Sequence, residues 1–130
     1  MATWEDVRRI ALSLPQTSEE DSYGSPSWRV NGKGFVWDRP LRRGDLEALG
    51  ASAPKGAILG VRTADLEMKE ALLKNDPAVF FTTPHFDGYP AVLVRLGKVG
   101  RKQLERIIVE AWLARAPKRA AADFLARRKS

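Results

Sequence analysis

Cysteine is missing from this chain of 130 residues, and histidine occurs once, as His85. The first absence excludes a disulfide framework, a thiolate metal centre and a cysteine nucleophile, so the fold has to rest on packing. The second leaves no histidine pair to hold zinc and no second base to orient the imidazole. Long apolar runs are absent too. None approaches the ~20 residues that cross a bilayer, and Met1-Ala2-Thr3-Trp4-Glu5 does not follow the basic-then-apolar order of a signal peptide. The expectation is a cytosolic protein with no membrane partner. Acidic residues are in deficit, 16 against 22 lysines and arginines, which sets the formal net charge at +6. A surplus of that sign favours polyanionic partners, because cations held near phosphates lower the free energy of association.

What is present is ordinary for a folded domain. With 44% hydrophobic and 29% charged residues the composition is that of a globular chain, and a single domain over residues 1–130 would bury roughly 65% of its unfolded surface. The stretch from Ser22 to Asp38 organises the rest. β-Favouring Trp28, Val30, Phe35 and Trp37 flank Asn31-Gly32, a pair that accepts positive φ at both centres of a type I′ turn. This spacing predicts a hairpin in which Val30 faces Lys33 and Arg29 faces Gly34. Trp28, Val30 and Phe35 then share one face and Arg29 takes the other. Two strands alone are marginal in water, so the ribbon must recruit more strands and a helical layer.

The flanking segments supply them. Thr3 is placed as an N-cap with Glu5 and Asp6 in the first turn, Val7, Ile10, Ala11 and Leu14 recur at helical spacing, and Pro15 stops the helix. Gln16 to Asp21 is acidic and without periodicity, and reads as a loop. Pro40 ends the hairpin's second strand. One helical turn capped by Asp45 is expected at Asp45 to Leu49, then a strand at Ala57 to Thr63, where Gly60 points to a bulge or a close backbone approach. A helix follows at Thr63 to Lys74, capped by Thr63 or Asp65, with short strands at Val79 to Thr82 and Ala91 to Leu96. Leu104, Ile107, Ile108, Ala111 and Trp112 mark a helix over Arg101 to Ala114, and Pro117 can open a last one carrying Ala121, Phe124 and Leu125. The order α-β-β-β-α-β-β-α-α implies an α+β two-layer sandwich: a five-stranded antiparallel sheet with helices on one face and the second face partly open.

Little in the chain suggests catalysis. Asp87 lies two residues from His85, but no nucleophile accompanies them in sequence, so His85 reads as a turn residue and no catalytic residue is assigned. Glu19-Glu20-Asp21 reads as a solvated run and not as a metal site. Asn31-Gly32-Lys33-Gly34 resembles a fragment of a phosphate loop, yet no helix N-terminus follows it to supply the dipole. No metal and no cofactor is expected. A pocket gathering Tyr23, Trp28, His85, Asp87 and Tyr89 would be needed to revive an enzymatic reading.

Three pieces in series carry a family resemblance: Ala11-Leu12-Ser13-Leu14-Pro15, then Tyr23-Gly24-Ser25-Pro26-Ser27-Trp28-Arg29-Val30 with Gly32-Lys33-Gly34-Phe35, and His85 to Leu96 leading into the last helices. In these the chain resembles the MmcQ/YjbR family of small bacterial proteins. Two stretches depart from the family pattern. Many members have His-Met-Asn-Lys-x-His-Trp before the last strand, where this chain has His85-Phe86-Asp87-Gly88-Tyr89-Pro90, and many have Ser-Tyr where it has Ala111-Trp112; the segment Arg39 to Lys55 is also longer than usual. The resemblance implies a two-layer domain similar to type III secretion chaperones or to a CyaY-like fold, and brings the family's description as DNA-binding.

The cations fall into two groups that suit such a role. Arg29, Lys33, Arg39, Arg42 and Arg43 belong to the hairpin and the loop behind it, and Arg115, Lys118 and Arg119 lead a basic C-terminus. The expected function is mainly non-specific phosphate contact with DNA through these residues, without catalysis. Trp28 and Trp37 beside the first group invite base stacking, although hairpin aromatics more often fill a core. The alternative is a protein-interaction or chaperone-like module that offers a partner the open sheet face or the Ile107 to Trp112 helix.

Overall fold

The computed structural model describes residues 2–22 and 24–129. Its elements are helix α1 (Trp4–Leu12), strands β1 (Thr17–Ser22), β2 (Ser25–Val30) and β3 (Lys33–Asp38), helix α2 (Arg43–Leu49), strand β4 (Ile58–Arg62), helix α3 (Leu66–Asn75), strands β5 (Phe80–Phe81) and β6 (Ala91–Arg95), and helices α4 (Arg101–Arg115) and α5 (Lys118–Lys129). The strands form one antiparallel sheet in the order β1-β2-β3-β4-β6-β5. This is the expected α+β architecture with one strand more than the five foreseen.

The additional strand is β1, in the segment read as a loop. Its sequence, Thr-Ser-Glu-Glu-Asp-Ser, has no apolar residue, so no alternation betrays it. It lies at the sheet edge and pairs along its length with β2, Glu19 opposite Trp28. There the Glu19 carboxylate accepts from Trp28 Nε1 at 2.9 Å and from two guanidinium nitrogens of Arg8 at 2.8 and 3.2 Å, so a charged residue is held on the helix side by two side chains. An edge strand of this composition also resists pairing with another chain, because its charges would have to be desolvated.

Two caps explain where helices start. The Thr3 hydroxyl accepts from the Asp6 amide while the Asp6 carboxylate accepts from the Thr3 amide, which closes a capping box on α1. Asp65 caps α3, accepting from the Met68 amide at 2.8 Å. Asp45, read as a cap, lies instead in the first turn of α2; Arg42 is the N-cap residue and its amide donates to the Asp45 carboxylate at 2.9 Å.

The hairpin turns at Asn31 and Gly32, with φ of 52° and 80°. Val30 faces Lys33 and Arg29 faces Gly34 as the turn requires, but between Trp28 and Arg29 the register slips and Trp28 faces Val36. Phe35 is the extra residue of a bulge, and both it and Val36 are buried on the helix side with Trp28 and Val30. Past the bulge every side chain of β3 is shifted by one face. Trp37 therefore pairs with Ser27 and Gly60 on the side away from the main helices.

The main core lies between the sheet and α1 and α4, where Val7, Ile10, Leu104, Ile108 and Trp112 meet Trp28, Phe35, Leu59 and Val94. Phe124 of α5 packs on Trp112 at 5.0 Å between ring centres. The other face is not bare. Leu41, just before α2, and Leu49, its last residue, pack with Trp37 on Ile58, Phe81, Phe86 and Leu93, which covers one half of it.

Candidate functional site

The uncovered half of that face is a groove of about 600 Å³. Its floor comes from β2 and β3, where alternation aims Ser25, Ser27, Arg29 and Trp37 to the same side. Gly34, opposite Arg29, leaves open space where a side chain would stand. Arg39, Pro40 and Arg42 form one wall, and His85 and Phe86, from a short turn at Pro84–Phe86, form another. Lys33 of the turn and Arg115 at the end of α4 add their side chains.

Trp37 is seated by the absence of a side chain beneath it. A Cβ on Gly60 would lie 2.3 Å from Trp37 Cε2, so only glycine lets the indole lie on β4. The close approach anticipated at Gly60 is thus made by a ring on the neighbouring strand. The indole is half-buried, and its N–H has no acceptor among the described residues.

Arg39 is buried and already committed. Its guanidinium meets the Asp45 carboxylate at 3.0 Å, donates to the Pro40 carbonyl, and stands 5.3 Å from the centre of the Phe86 ring. It ties the Arg39 to Asp45 segment to the Pro84–Phe86 turn, and so shapes the wall. Burial pushes the Asp45 carboxyl up, but the Arg42 amide and the Arg39 charge outweigh it and hold the group below the ordinary aspartate value. The Pro84–Phe86 turn has a second anchor. Lys69 of α3 is buried and donates from Nζ to the carbonyls of Phe86 and of Tyr89, the latter at 2.9 Å. Its ammonium is pushed down by burial, against the opposing pull of Asp87 and Glu70.

Of the eight cations chosen from sequence, Arg29, Lys33, Arg39, Arg42 and Arg115 line this one groove. Arg43 does not; it is exposed and faces Glu47 at 3.4 Å. Lys118 and Arg119 are exposed on α5, away from the groove lining. Arg29 lies 3.8 Å from Glu20. Among the described residues Lys33, Arg42 and Arg115 have no carboxylate partner, and Arg115 Nε is buried without a hydrogen bond. Asp38 is the one carboxylate among the lining residues. It pairs with Leu59 of the helix-side core, which directs its side chain toward the helices, and burial pushes its carboxyl up.

Of the residues proposed to share a pocket, Trp28, His85, Asp87 and Tyr89 are described, and the structure does not bring these four together. Trp28 is buried in the helix-side core, stacked on Trp4, because the strand's alternation turns it away from Arg29. His85 is in the groove, whereas Asp87 and Tyr89 are not among its lining residues, and Tyr89 sits instead against Arg62 at 5.2 Å. Tyr23 lies outside the described residues. Sequence reasoning also missed Ser25, Ser27 and Phe86, whose place depends on the missed strand and on the turn held by Lys69. Among the described residues there is no group of three histidines, aspartates or glutamates placed to hold a metal ion, and no helix is long and apolar enough to cross a membrane.

An open antiparallel sheet with its main helices on one side and a cation-lined groove on the other defines a small α+β domain built to present one sheet face. The chain belongs to the YjbR family, whose model matches residues 12–114. It is 52% identical over 129 residues to an uncharacterised protein of Mycobacterium bovis, Mb2600, with 97% of this chain and 98% of that one covered, and equally to the uncharacterised Mycobacterium tuberculosis protein Rv2570. Among solved structures, Deinococcus radiodurans protein DR2400, a DUF419 domain, is similar in fold, with a TM-score of 0.64 at 19% identity over 87% of this chain and 78% of that one.

Proposed function

We propose that this protein is a non-enzymatic DNA-binding domain that holds phosphates in the groove on its open sheet face. The observation that carries this reading is the convergence of Arg29, Lys33, Arg39, Arg42 and Arg115, from three separate parts of the chain, on one concavity with a single carboxylate on its border. Cations without protein partners keep their donors available, and a concave arrangement focuses their field on whatever enters. Lys33, Arg42 and Arg115 would make the direct phosphate contacts, while Arg39, neutralised by Asp45, holds the wall in place. Phosphate contacts position a nucleic acid without reading its sequence, so binding is expected to be largely non-specific.

Titration of duplex DNA at several salt concentrations tests this. The logarithm of the affinity should fall linearly with the logarithm of salt concentration, by about 0.9 for each phosphate neutralised. Arg42→Ala should flatten that slope by about one contact, as should Lys33→Ala. Arg43→Ala, which removes a side chain outside the groove, should change it less. Absence of binding to DNA in any form, duplex or single-stranded, at low salt would remove the reading.

In the protein-interaction alternative a partner would take the open sheet face or the C-terminal helices, and the Ile107 to Trp112 stripe is not free for it. Ile107, Ile108, Ala111 and Trp112 are buried between the sheet and the neighbouring helices, so α4 has no apolar stripe left to offer. The open face remains, and its lining is mixed, with Arg29, Arg42 and Arg115 beside Pro26, Trp37, Pro40 and Phe86.

A further inference from the structure

The groove is not only cationic. A phosphate-tracking surface needs arginine and lysine, yet the floor of this one carries an aromatic ring seated over a glycine of the neighbouring strand. Trp37 covers Gly60, the one residue of β4 without a side chain, and any Cβ at that position would collide with the indole. The bulge at Phe35 is what turns Trp37 to this side at all. Of the four tryptophans, Trp28 and Trp112 are buried in the core and Trp4 is stacked on Trp28 from the helix side. Trp37 alone among them lines the groove, between Arg29 on the same strand pair and Arg39 and Arg42 on the wall.

Duplex DNA cannot use such a floor. Each base in a duplex is stacked on both faces and shielded at its rim by the sugar-phosphate strands, so a ring at the bottom of a groove meets only backbone. An unpaired base has a free face. Base stacking on an aromatic side chain needs no particular base, because every base has a π face, and it adds to the phosphate contacts of the flanking backbone.

We infer that the groove takes an unpaired segment of DNA, with one base stacked on Trp37 and the adjoining phosphates held by Arg42, Lys33 and Arg115. This deepens the DNA-binding reading and rests on it. The serines at the floor, Ser25 and Ser27, give polar contact beside the base without reading its identity, so the preference is for single strands over duplex and not for one sequence.

The experiment compares three probes at one low salt concentration: a short mixed-sequence single strand, its duplex, and the same strand carrying abasic sites in its central part. Binding is followed by anisotropy of an end label and by the protein's own tryptophan fluorescence. The single strand should bind between about fivefold and a hundredfold more tightly than the abasic strand, the range that stacking of one base supplies. It should quench tryptophan emission, and the abasic strand should not. Trp37→Leu should abolish both differences, while Trp37→Phe, which keeps a ring on Gly60, should retain most of the preference. The comparison of intact with abasic strand in the unsubstituted protein needs no variant, so it stands even if Trp37→Leu folds poorly. Equal binding of the abasic and intact strands, or a preference that survives Trp37→Leu in folded protein, overturns the inference while the DNA-binding reading stands. Failure of all three probes to bind overturns both.

Discussion

Trp28→Ala is expected to lower the free energy of unfolding by about 3–5 kcal/mol, the cost of emptying a large buried aromatic site, and to leave the DNA affinity of the folded fraction unchanged. Trp28 is 1% exposed, stacks on Trp4 with ring centres 6.3 Å apart, and donates its indole N–H to Glu19. The substitution therefore opens a cavity in the helix-side core and frees the carboxylate that ties α1 to β1 through Arg8. Urea unfolding should show a lower midpoint with an unchanged slope. The measurement that decides the residue's role pairs this with DNA titration at a temperature where the variant remains folded. A loss of affinity there with little loss of stability would place Trp28 in the interface after all.

Asp45→Ala should cost a similar amount, about 3–5 kcal/mol, because removing one member of a buried ion pair leaves the other charge without compensation. The Arg39 and Asp45 side chains are only 6% and 5% exposed. The double variant Arg39→Met with Asp45→Leu removes both charges, and most of the lost stability should return. Affinity for DNA need not return with it, since Arg39 also positions the groove wall against Phe86. If the double variant is as unstable as the single one, the pair is not the source of the cost.

The same carboxylate gives the stability a pH dependence of known sign. Asp45 has a folded-state pKa below its ordinary value, as have Asp6, bonded to the Thr3 amide and paired with Arg9, and Glu19, bonded to Arg8. Groups shifted this way contribute their full stabilisation above the ordinary carboxylate range, and lose it as pH falls through the folded values. Through these three groups the thermal midpoint should be flat from neutral pH to about pH 5 and drop below about pH 4. Asp45→Ala should start lower and fall less. Asp38, whose carboxyl burial pushes up, acts in the opposite direction as pH falls through its own folded value, so it is a midpoint still rising below about pH 4 that would contradict the assignment of these three carboxylates.

How much of this could be read from the chain depends on whether the signal was local. The Asn31-Gly32 turn, the Thr3 and Asp65 caps, and the spacing of Ile107, Ile108, Ala111 and Trp112 each act over a few residues, and each appears where the sequence places it. β1 carries no signal of its own because an edge strand with one wet face has no need of apolar residues; its pairing partner supplies the reason for its conformation. Asp45 reads as a cap because Asp is common there, while its role depends on Arg39, six residues back and buried by contacts with Phe86.

The amino-acid sequence by itself determined the α+β class, the hairpin and its turn, the absence of thiol chemistry, and the positive charge available for a polyanion. Only the tertiary structure decided which cations share a groove and which tryptophan stands in it. A single inserted residue at Phe35 reverses the faces of β3, leaving Trp28 in the core and sending Trp37 out over Gly60. Alternation along a strand has a period of two, so a bulge inverts everything beyond it, and its presence depends on how β2 and β3 pack beneath the helices.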